Sequence, residues 1–401
     1  MINEQKELTA KHNKKKSKFL SVASFFVIFG AISAIIGFLS ATYFKDFMDN
    51  YIKSDNFFLE LLRVYGLILI FFLGYMIHII IHEAGHLIFG LMTGYSFISF
   101  RIGSFTIIKE QGKIRYKKFG IPGTAGQCLM MPPEIKDGKY PFIMYNYGGG
   151  LMNLIVAGVG ILLAILIEGM PMLSAILVLF SAGGIFAAIL NIVPLKITGI
   201  SNDGYNVISM LKDENARRGF YVQLRVNGLQ SQGMRMKDMD LETLKINEGS
   251  DLINPLNASL KLIEYNWYLD NMDFERARQC LEDFMPYIDK IIPLYRYEIN
   301  CERMFLELIG NCNKEFIDNI YDKELRKYIK ACKFLLGKKR IMMAYEIFYN
   351  NNKEKALNYF QDTVKLSMKY PVKGDADMEL MLVNWIKESM NLNEGGDKLL
   401  V

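Results

Sequence analysis

Hydrophobic and polar positions divide this chain into an apolar first half and a polar second half. The apolar residues are concentrated between positions 19 and 194, in runs long enough to cross the roughly 30 Å hydrocarbon core of a bilayer. These runs predict transmembrane helices at 19–44, 60–93, 141–167 and 172–193. Beyond residue 205 the apolar residues recur at helical spacing among many Lys, Glu, Asp and Asn. The pattern predicts an α-helical polytopic membrane protein with an all-α soluble C-terminal domain.

A different pattern interrupts the apolar runs between residues 95 and 133. Segments 97–109 and 113–119 alternate apolar and polar positions and are separated by Glu110-Gln111-Gly112, which is a turn signal. They predict an inserted, membrane-associated β-hairpin. Residues 120–133 carry Gly and Pro around a short apolar patch, and we expect this segment to dip into the membrane against the helices.

The soluble half contains a pattern that occurs twice. Segments 269–281 and 348–360 share an apolar stretch, a polar turn and then Ala277 or Ala356 at equivalent places. This is typical of tetratricopeptide-like repeats, although a generic α-helical domain explains the pattern equally well. We therefore assign 211–254 as a linker or helical connector and 255–391 as a repeat-like domain. A partner-docking or gating role is one interpretation of this tail, and a spacer or dimerisation role is the other.

The cysteine content and the N-terminal lysines favour a cytosolic location for the soluble half and the N-terminus. The net charge of +5 is too small to argue for nucleic-acid binding. Four of the five cysteines lie in the soluble half without CxxC spacing, which is typical of reduced thiols in the cytosol. Residues 1–18 form a basic, predicted disordered N-terminus whose Lys14–Lys18 cluster favours a cytosolic location. Four spans then predict a multi-pass protein of the cell membrane with both termini in the cytosol.

The second apolar run contains His82-Glu83-Ala84-Gly85-His86, which is the HExxH pattern. Two histidines four residues apart lie on one face of a helix and can occupy two corners of a tetrahedral zinc site. Glu83 is placed to accept a proton from water made more acidic by the metal. Ionisable residues within a membrane-length apolar run indicate function by default.

His78 lies one turn before His82 and extends the row of histidines. One zinc ion cannot bind all three, because the ends of the row are about 12 Å apart at 1.5 Å per residue. A site at His78 and His82 would also have Ile79 where a base is needed. We interpret His78 as a packed residue or as a support for the metal ligands.

A catalytic zinc site needs a third protein ligand. The remaining histidine, His12, lies in the predicted disordered tail, so the ligand is expected to be a carboxylate or a cysteine. Asp203 is the best candidate because it follows the last apolar run at the same membrane face, and Gly204 allows close backbone approach. The alternative is that Asp203 caps a helix beginning near Tyr205.

The order of motifs resembles the site-2 protease family of intramembrane zinc metalloproteases. The similarity covers about residues 60–210 and comprises HExxH, Gly149-x-x-x-Asn153, Asn191-x-x-Pro194 and Asp203-Gly204. The stretch between Pro194 and Asp203 is longer than the compact version common in that family. No PDZ-like insert is visible between the membrane helices.

The resemblance implies a three-helix catalytic core formed by the second, third and fourth predicted spans. It also implies one zinc ion bound by His82, His86 and Asp203, with Glu83 as the general base. By the same resemblance, Asn153 and Asn191 lie near the substrate.

The implied activity is hydrolysis of a peptide bond in a membrane-embedded helix or a signal-peptide remnant, near the cytosolic face. The expected partners are that substrate, the bilayer and, in the docking interpretation, a protein bound to the tail, with no nucleic acid. A non-proteolytic receptor with a docking tail is the main alternative. A zinc transporter is less favoured, because the chain lacks additional intramembrane ligands and a His-rich loop.

Overall fold

The structure is a computed structural model that describes residues 47–110, 112–120, 124–136, 138–167, 169–197 and 200–392. The predicted disordered N-terminus and the first predicted span, 19–44, lie outside the described residues. The described chain is mostly helical with a small antiparallel sheet. It divides into two compact units. The span unit holds the described residues up to Gly85, Tyr147–Leu195 and Ser201–Tyr205, and the sheet–tail unit holds the other described residues.

Within the described residues, three helices are long and apolar enough to cross a membrane. Helix α1 is Phe57–Met92, α2 is Phe142–Leu166 and α3 is Pro171–Ile192. They agree to within three residues with the predicted second, third and fourth spans. Pro171 starts α3 at a position where its missing N–H costs nothing.

Small residues let α1 and α3 approach closely within the span unit. A Cβ added at Gly183 would lie 2.9 Å from the backbone nitrogen of Tyr75, so only glycine fits there. Gly183, Gly184 and Ala187 are buried, and Ala182 is half-buried. Close backbone approach is a common way for membrane helices to associate.

The predicted β-hairpin is instead a four-stranded antiparallel sheet in the described chain, with the order β3-β2-β1-β4. Its strands are β1 (Ser96–Ile102), β2 (Phe105–Glu110), β3 (Lys113–Lys118) and β4 (Gly126–Met131). A tight turn with Gly103 at φ +57° divides segment 97–109, which the alternation predicts as one strand. Segment 126–131, part of the stretch expected to dip into the membrane, pairs with β1 as β4. A two-residue turn leaves the alternation almost unbroken, which explains why the pattern conceals it.

The sheet packs against the tail within the sheet–tail unit. Phe119 makes edge contacts with Phe334 and Tyr370, and Lys117 Nζ donates a 3.2 Å hydrogen bond to the Tyr370 carbonyl. The segment predicted as a linker or connector is mostly ordered helix, with α4 (Asp203–Lys212) running into α5 (Glu214–Ser231). Gly228 of α5 lies against Ile98 and Met131 of the sheet. The sheet and the tail are therefore one packed body.

Most of the tail is built from helices joined by tight turns. The longer helices that follow are α6 (Pro255–Asp270), α7 (Phe274–Glu282), α8 (Pro293–Ile309), α9 (Lys314–Ile320), α10 (Lys323–Ala331), α11 (Leu336–Ala344), α12 (Lys353–Ser367) and α13 (Lys373–Leu392). A single helical turn at Leu241–Leu244 precedes them, and a π-helical turn at Tyr345–Tyr349 extends α11.

The segments of the tail that share a sequence pattern also share the same turn geometry. In the described tail, a residue with positive φ precedes the capping residue of α7, α9 and α12: Met272, Cys312 and Asn351. Four positions after each cap lies a fully buried residue: Ala277, Ile317 and Ala356. The middle copy, at 309–321, is harder to detect in the sequence because Ile317 replaces the alanine.

A buried charge network crosses the tail core. Arg340 is 1% exposed and makes 2.8 Å contacts with both Glu302 and Glu379. Its guanidinium lies 3.9 Å from the Phe305 ring centroid. Tyr265 donates a 2.7 Å hydrogen bond to Glu302. Removing one partner from such a network leaves uncompensated buried charges, which costs about 3–5 kcal/mol.

We predict that Arg340→Met destabilises the tail by about 3–5 kcal/mol, because two buried carboxylates lose their counter-charge. The unfolding temperature should fall by roughly 6 °C or more. The readout is reaction of the buried thiols Cys280 and Cys301 with a thiol-reactive dye during heating of the full chain in detergent. Arg326→Met, at an exposed position, is the control. Equal shifts for the two variants would contradict the prediction.

Candidate metal centre

Helix α1 carries both candidate imidazole ligands on one face. His82 and His86 are 8% and 7% exposed, and the helix is unbroken between them. Among the described residues, one group of potential ligands brings His82, His86 and Asp203 together, with donor atoms within 4.8 Å of one another. Two imidazole nitrogens and one carboxylate oxygen are a common ligand set for a catalytic zinc ion.

Asp203 reaches this group from the first turn of α4. Its Oδ2 lies 3.2 Å from His82 Nε2, close to the spacing of about 3.3 Å between two ligand atoms on tetrahedral zinc. The Asp203 side chain is 23% exposed, so the carboxylate is partly open to solvent. The longer connection before Asp203 forms the small hairpin β5–β6 (Lys196–Ile197 and Ile200–Ser201), which brings the chain back to the end of α3.

The helix cap that offered an alternative role for Asp203 belongs to Asn202. Asn202 Oδ1 accepts a 2.9 Å hydrogen bond from the Tyr205 amide and a 3.0 Å hydrogen bond from the Leu195 amide. Its Nδ2 donates to the Leu190 and Val193 carbonyls, at 2.6 Å each. Because Asn202 satisfies the end of α3 and the start of α4, Asp203 is not needed as a cap.

His86 is oriented by a backbone carbonyl. Its Nδ1 donates a 2.7 Å hydrogen bond to the carbonyl of Tyr145, which leaves Nε2 as the ring's lone-pair nitrogen. Tyr145 is itself fixed: its hydroxyl donates a 3.0 Å hydrogen bond to the Cys128 carbonyl, and its ring stacks on Tyr95 at 4.6 Å. Support of this kind is typical of metal-binding histidines.

His82 is oriented by Asn153 of α2, which is fully buried. Asn153 Nδ2 lies 3.5 Å from His82 Nδ1, and Asn153 Oδ1 lies 3.2 Å from His78 Nδ1. The amide therefore joins two members of the histidine row. His78 is 0% exposed and stacks against Phe180 at 4.5 Å. It lies outside the candidate ligand group, as the sequence analysis expected.

Two glycines make room for the rings. A Cβ added at Gly149 would lie 2.5–2.7 Å from three atoms of the His82 ring, and one added at Gly184 would overlap the His78 ring. The absence of a side chain at each position is therefore a steric requirement of the site. This explains why the glycine-rich start of α2 faces α1.

The structure brings some of the predicted site residues together and leaves others apart. His82, His86 and Asp203 come together, and Glu83 is half-buried beside His82 on α1. Asn153 contacts two histidines, whereas the Asn191 amide donates to the Ala187 carbonyl of its own helix at 2.9 Å.

Sequence reasoning missed Asn202 and the Tyr145 carbonyl. Asn202 precedes the Asp-Gly pair, where a capping residue is common, so its position gave a usable signal. A backbone acceptor gives none, because every residue carries a carbonyl.

Comparison with known protein families, curated proteins and solved structures finds no match to this chain. The function must therefore be argued from the site itself.

We predict that Gly149→Ala weakens Zn²⁺ binding by about 10-fold or more, because the new methyl group displaces the His82 ring. Gly158→Ala is the matched control: it makes the same change in the same helix, at a position with no atom within 4 Å of the added Cβ. The measurement is zinc retained by the purified variants against a competing chelator. Equal affinities for the two variants would rule out this steric role for Gly149.

Proposed function

We propose that the protein is an intramembrane zinc endopeptidase. The observation that carries the proposal is the group of two imidazoles and one carboxylate, His82, His86 and Asp203, in which both imidazoles lie on the apolar, membrane-length helix α1. Buried ionisable residues in such a setting are costly and mark function. The HExxH pattern adds a carboxylate, Glu83, which is not in the ligand group.

The donor set fits zinc. His82, His86 and Asp203 would hold the ion, and nitrogen and oxygen ligands in this ratio suit Zn²⁺ with one open position. The support behind both histidines, from the Tyr145 carbonyl and Asn153, fits the same interpretation. When bound, the ion would supply Lewis acidity to a carbonyl and to water.

Glu83 would act as the general base and then as the general acid. Its position next to His82 keeps it beside the ligand group without making it a ligand, and its half-buried state keeps the carboxylate accessible. It would accept a proton from the attacking water and pass a proton to the leaving amine. Proton transfer of this kind contributes roughly 10²–10⁴-fold to rate.

The substrate we propose is a membrane-embedded helix or a signal-peptide remnant, cleaved near the cytosolic face. A helix must unwind locally before its carbonyl is accessible. Edge strand β3 of the sheet has a paired neighbour on one side only in the described chain, and nearly all its side chains are exposed. Such an edge can hold an extended segment by strand addition. Binding there would stabilise the unwound form.

The orientation we propose places both termini in the cytosol. The tail is packed on the sheet through Phe119, Lys117 and Tyr370. A protein partner bound to the tail would therefore act on a body that includes the proposed substrate-binding edge. This arrangement supports a docking or gating role.

We predict that Glu83→Gln lowers cleavage by at least about 100-fold while zinc stays bound, because the base is removed and the ligands are not. The measurements are metal content of the purified protein and a comparison of membrane-protein fragments in cells making either form. Glu60→Gln, the same chemical change in the same helix, is the control. Loss of zinc with Glu83→Gln would reassign Glu83 as a ligand. Identical fragments would favour the receptor alternative.

We predict that Asp203→Ala lowers both zinc affinity and cleavage. Removal of a residue that hydrogen-bonds to a metal ligand usually lowers metal affinity by roughly 10- to 100-fold. The loss with Asp203→Ala should be larger, because a ligand itself is lost. Titration with Zn²⁺ against a chelator measures the effect, and Asp289→Ala, at an exposed position, is the control. Unchanged zinc stoichiometry and turnover would exclude Asp203 as the third ligand.

A further inference from the structure

His78 is a fully buried imidazole with an unusual hydrogen-bond pattern. Its Nδ1 pairs with Asn153, while its Nε2 has no hydrogen-bond partner among the residues that the structure describes. The ring of Phe180 lies beside it, with the two ring centroids 4.5 Å apart. A buried polar atom without a partner costs about 1–3 kcal/mol, so this arrangement needs an explanation.

With the Asn153 amide oriented as the structure has it, both hydrogen bonds between His78 and His82 have a defined direction. An amide oxygen can only accept, so His78 Nδ1 carries the proton donated to Asn153 Oδ1. An amide nitrogen can only donate, so His82 Nδ1 accepts from Asn153 Nδ2. A neutral His82 ring then carries its proton on Nε2, which faces Asp203 Oδ2 at 3.2 Å.

In His86 the proton is on the other ring nitrogen, Nδ1. Its Nδ1 donates to the Tyr145 carbonyl, so its Nε2 already presents a lone pair. A metal ion needs a lone pair on His82 Nε2 as well, because a protonated nitrogen cannot bind it. The proton on His82 must then be on Nδ1, where it would meet the donor group of Asn153.

We propose that His78, Asn153 and His82 form a hydrogen-bonded chain whose direction reverses when the metal binds, and that His78 is the positioning residue at its end. This inference rests on the metal-binding part of the proposed function. Rotation of the Asn153 amide by 180° turns its oxygen to His82 Nδ1–H and its nitrogen to His78 Nδ1. The His78 proton is then on Nε2. Neither ring gains or loses a net proton.

The reversed chain changes His78 Nε2 from an acceptor to a donor. This atom has no hydrogen-bond partner among the residues that the structure describes, and the Phe180 ring lies beside it. Gly184 leaves room for the His78 ring, because the Cβ of any larger residue would overlap it.

The test is ¹⁵N NMR of histidine-labelled protein in micelles, with and without added Zn²⁺. The chain has only four histidines, and a His12→Gln background leaves His78, His82 and His86. Without metal, His78 should be the Nδ1–H tautomer and His86 already Nδ1–H. With Zn²⁺, His82 should become Nδ1–H and His78 should become Nε2–H. The His78 signal is assigned by its loss in His78→Gln.

Two variants separate hydrogen bonding from packing. His78→Gln keeps an amide that can donate or accept toward Asn153, and should retain Zn²⁺ affinity within about threefold. His78→Leu cannot, and should lose about 10-fold or more. Phe180→Leu, which alters the packing of the His78 ring but not its bond to Asn153, should resemble His78→Gln. Equal losses for all three variants would mean that His78 acts only through packing.

The outcomes separate this inference from the proposed function. If Zn²⁺ shifts the His82 and His86 signals but His78 stays Nδ1–H, the reversal is wrong and the metal site stands. If Zn²⁺ shifts no signal, the metal site and the inference both fail. If His78 changes tautomer together with metal binding, the chain is established, whatever the substrate of the enzyme is.

Discussion

The cost of burying polar side chains in apolar helices is the constraint on which this structure depends. Three imidazoles lie on one face of α1, and each needs a partner that a bilayer cannot provide. The partners come from α2: the Tyr145 carbonyl for His86, and the Asn153 amide for His82 and His78. These pairings fix the register of the two helices more tightly than apolar contacts alone, which tolerate sliding.

The position of the histidine rings also explains why residues 149 and 184 are glycines. Hydrogen bonds of 2.7–3.5 Å join α1 to α2. The His82 and His78 rings occupy the space that a methyl group would need at Gly149 of α2 and at Gly184 of α3. The hydrogen bonds of the buried histidine rings and the close packing of the helices therefore depend on the same positions. A change that enlarges either glycine acts on the chemistry as well as on helix association.

Much of this could be read from the sequence, and the limits are physical. Span boundaries follow from hydropathy and bilayer thickness, and α1 to α3 lie within three residues of expectation. HExxH and Asp203 are separated by more than 110 residues, but the order of motifs was enough to pair them, and the structure brings their donor atoms together. The partnership of Asn153 with two histidines was invisible, because it depends on the relative register of two helices. The turn at Gly103 was missed because it barely disturbs the alternation.

Asn202 makes hydrogen bonds to both ends of the connection between α3 and α4. The Leu195 amide and carbonyl both bond to Asn202, through its side chain and its backbone nitrogen, so the described segments 196–197 and 200–201 lie between two residues that are hydrogen-bonded to each other. The chain between Leu195 and Asn202 can therefore change in length without moving the next residue, Asp203. The candidate metal ligand is positioned by these hydrogen bonds, so the segment that they close can diverge and acquire contacts of its own.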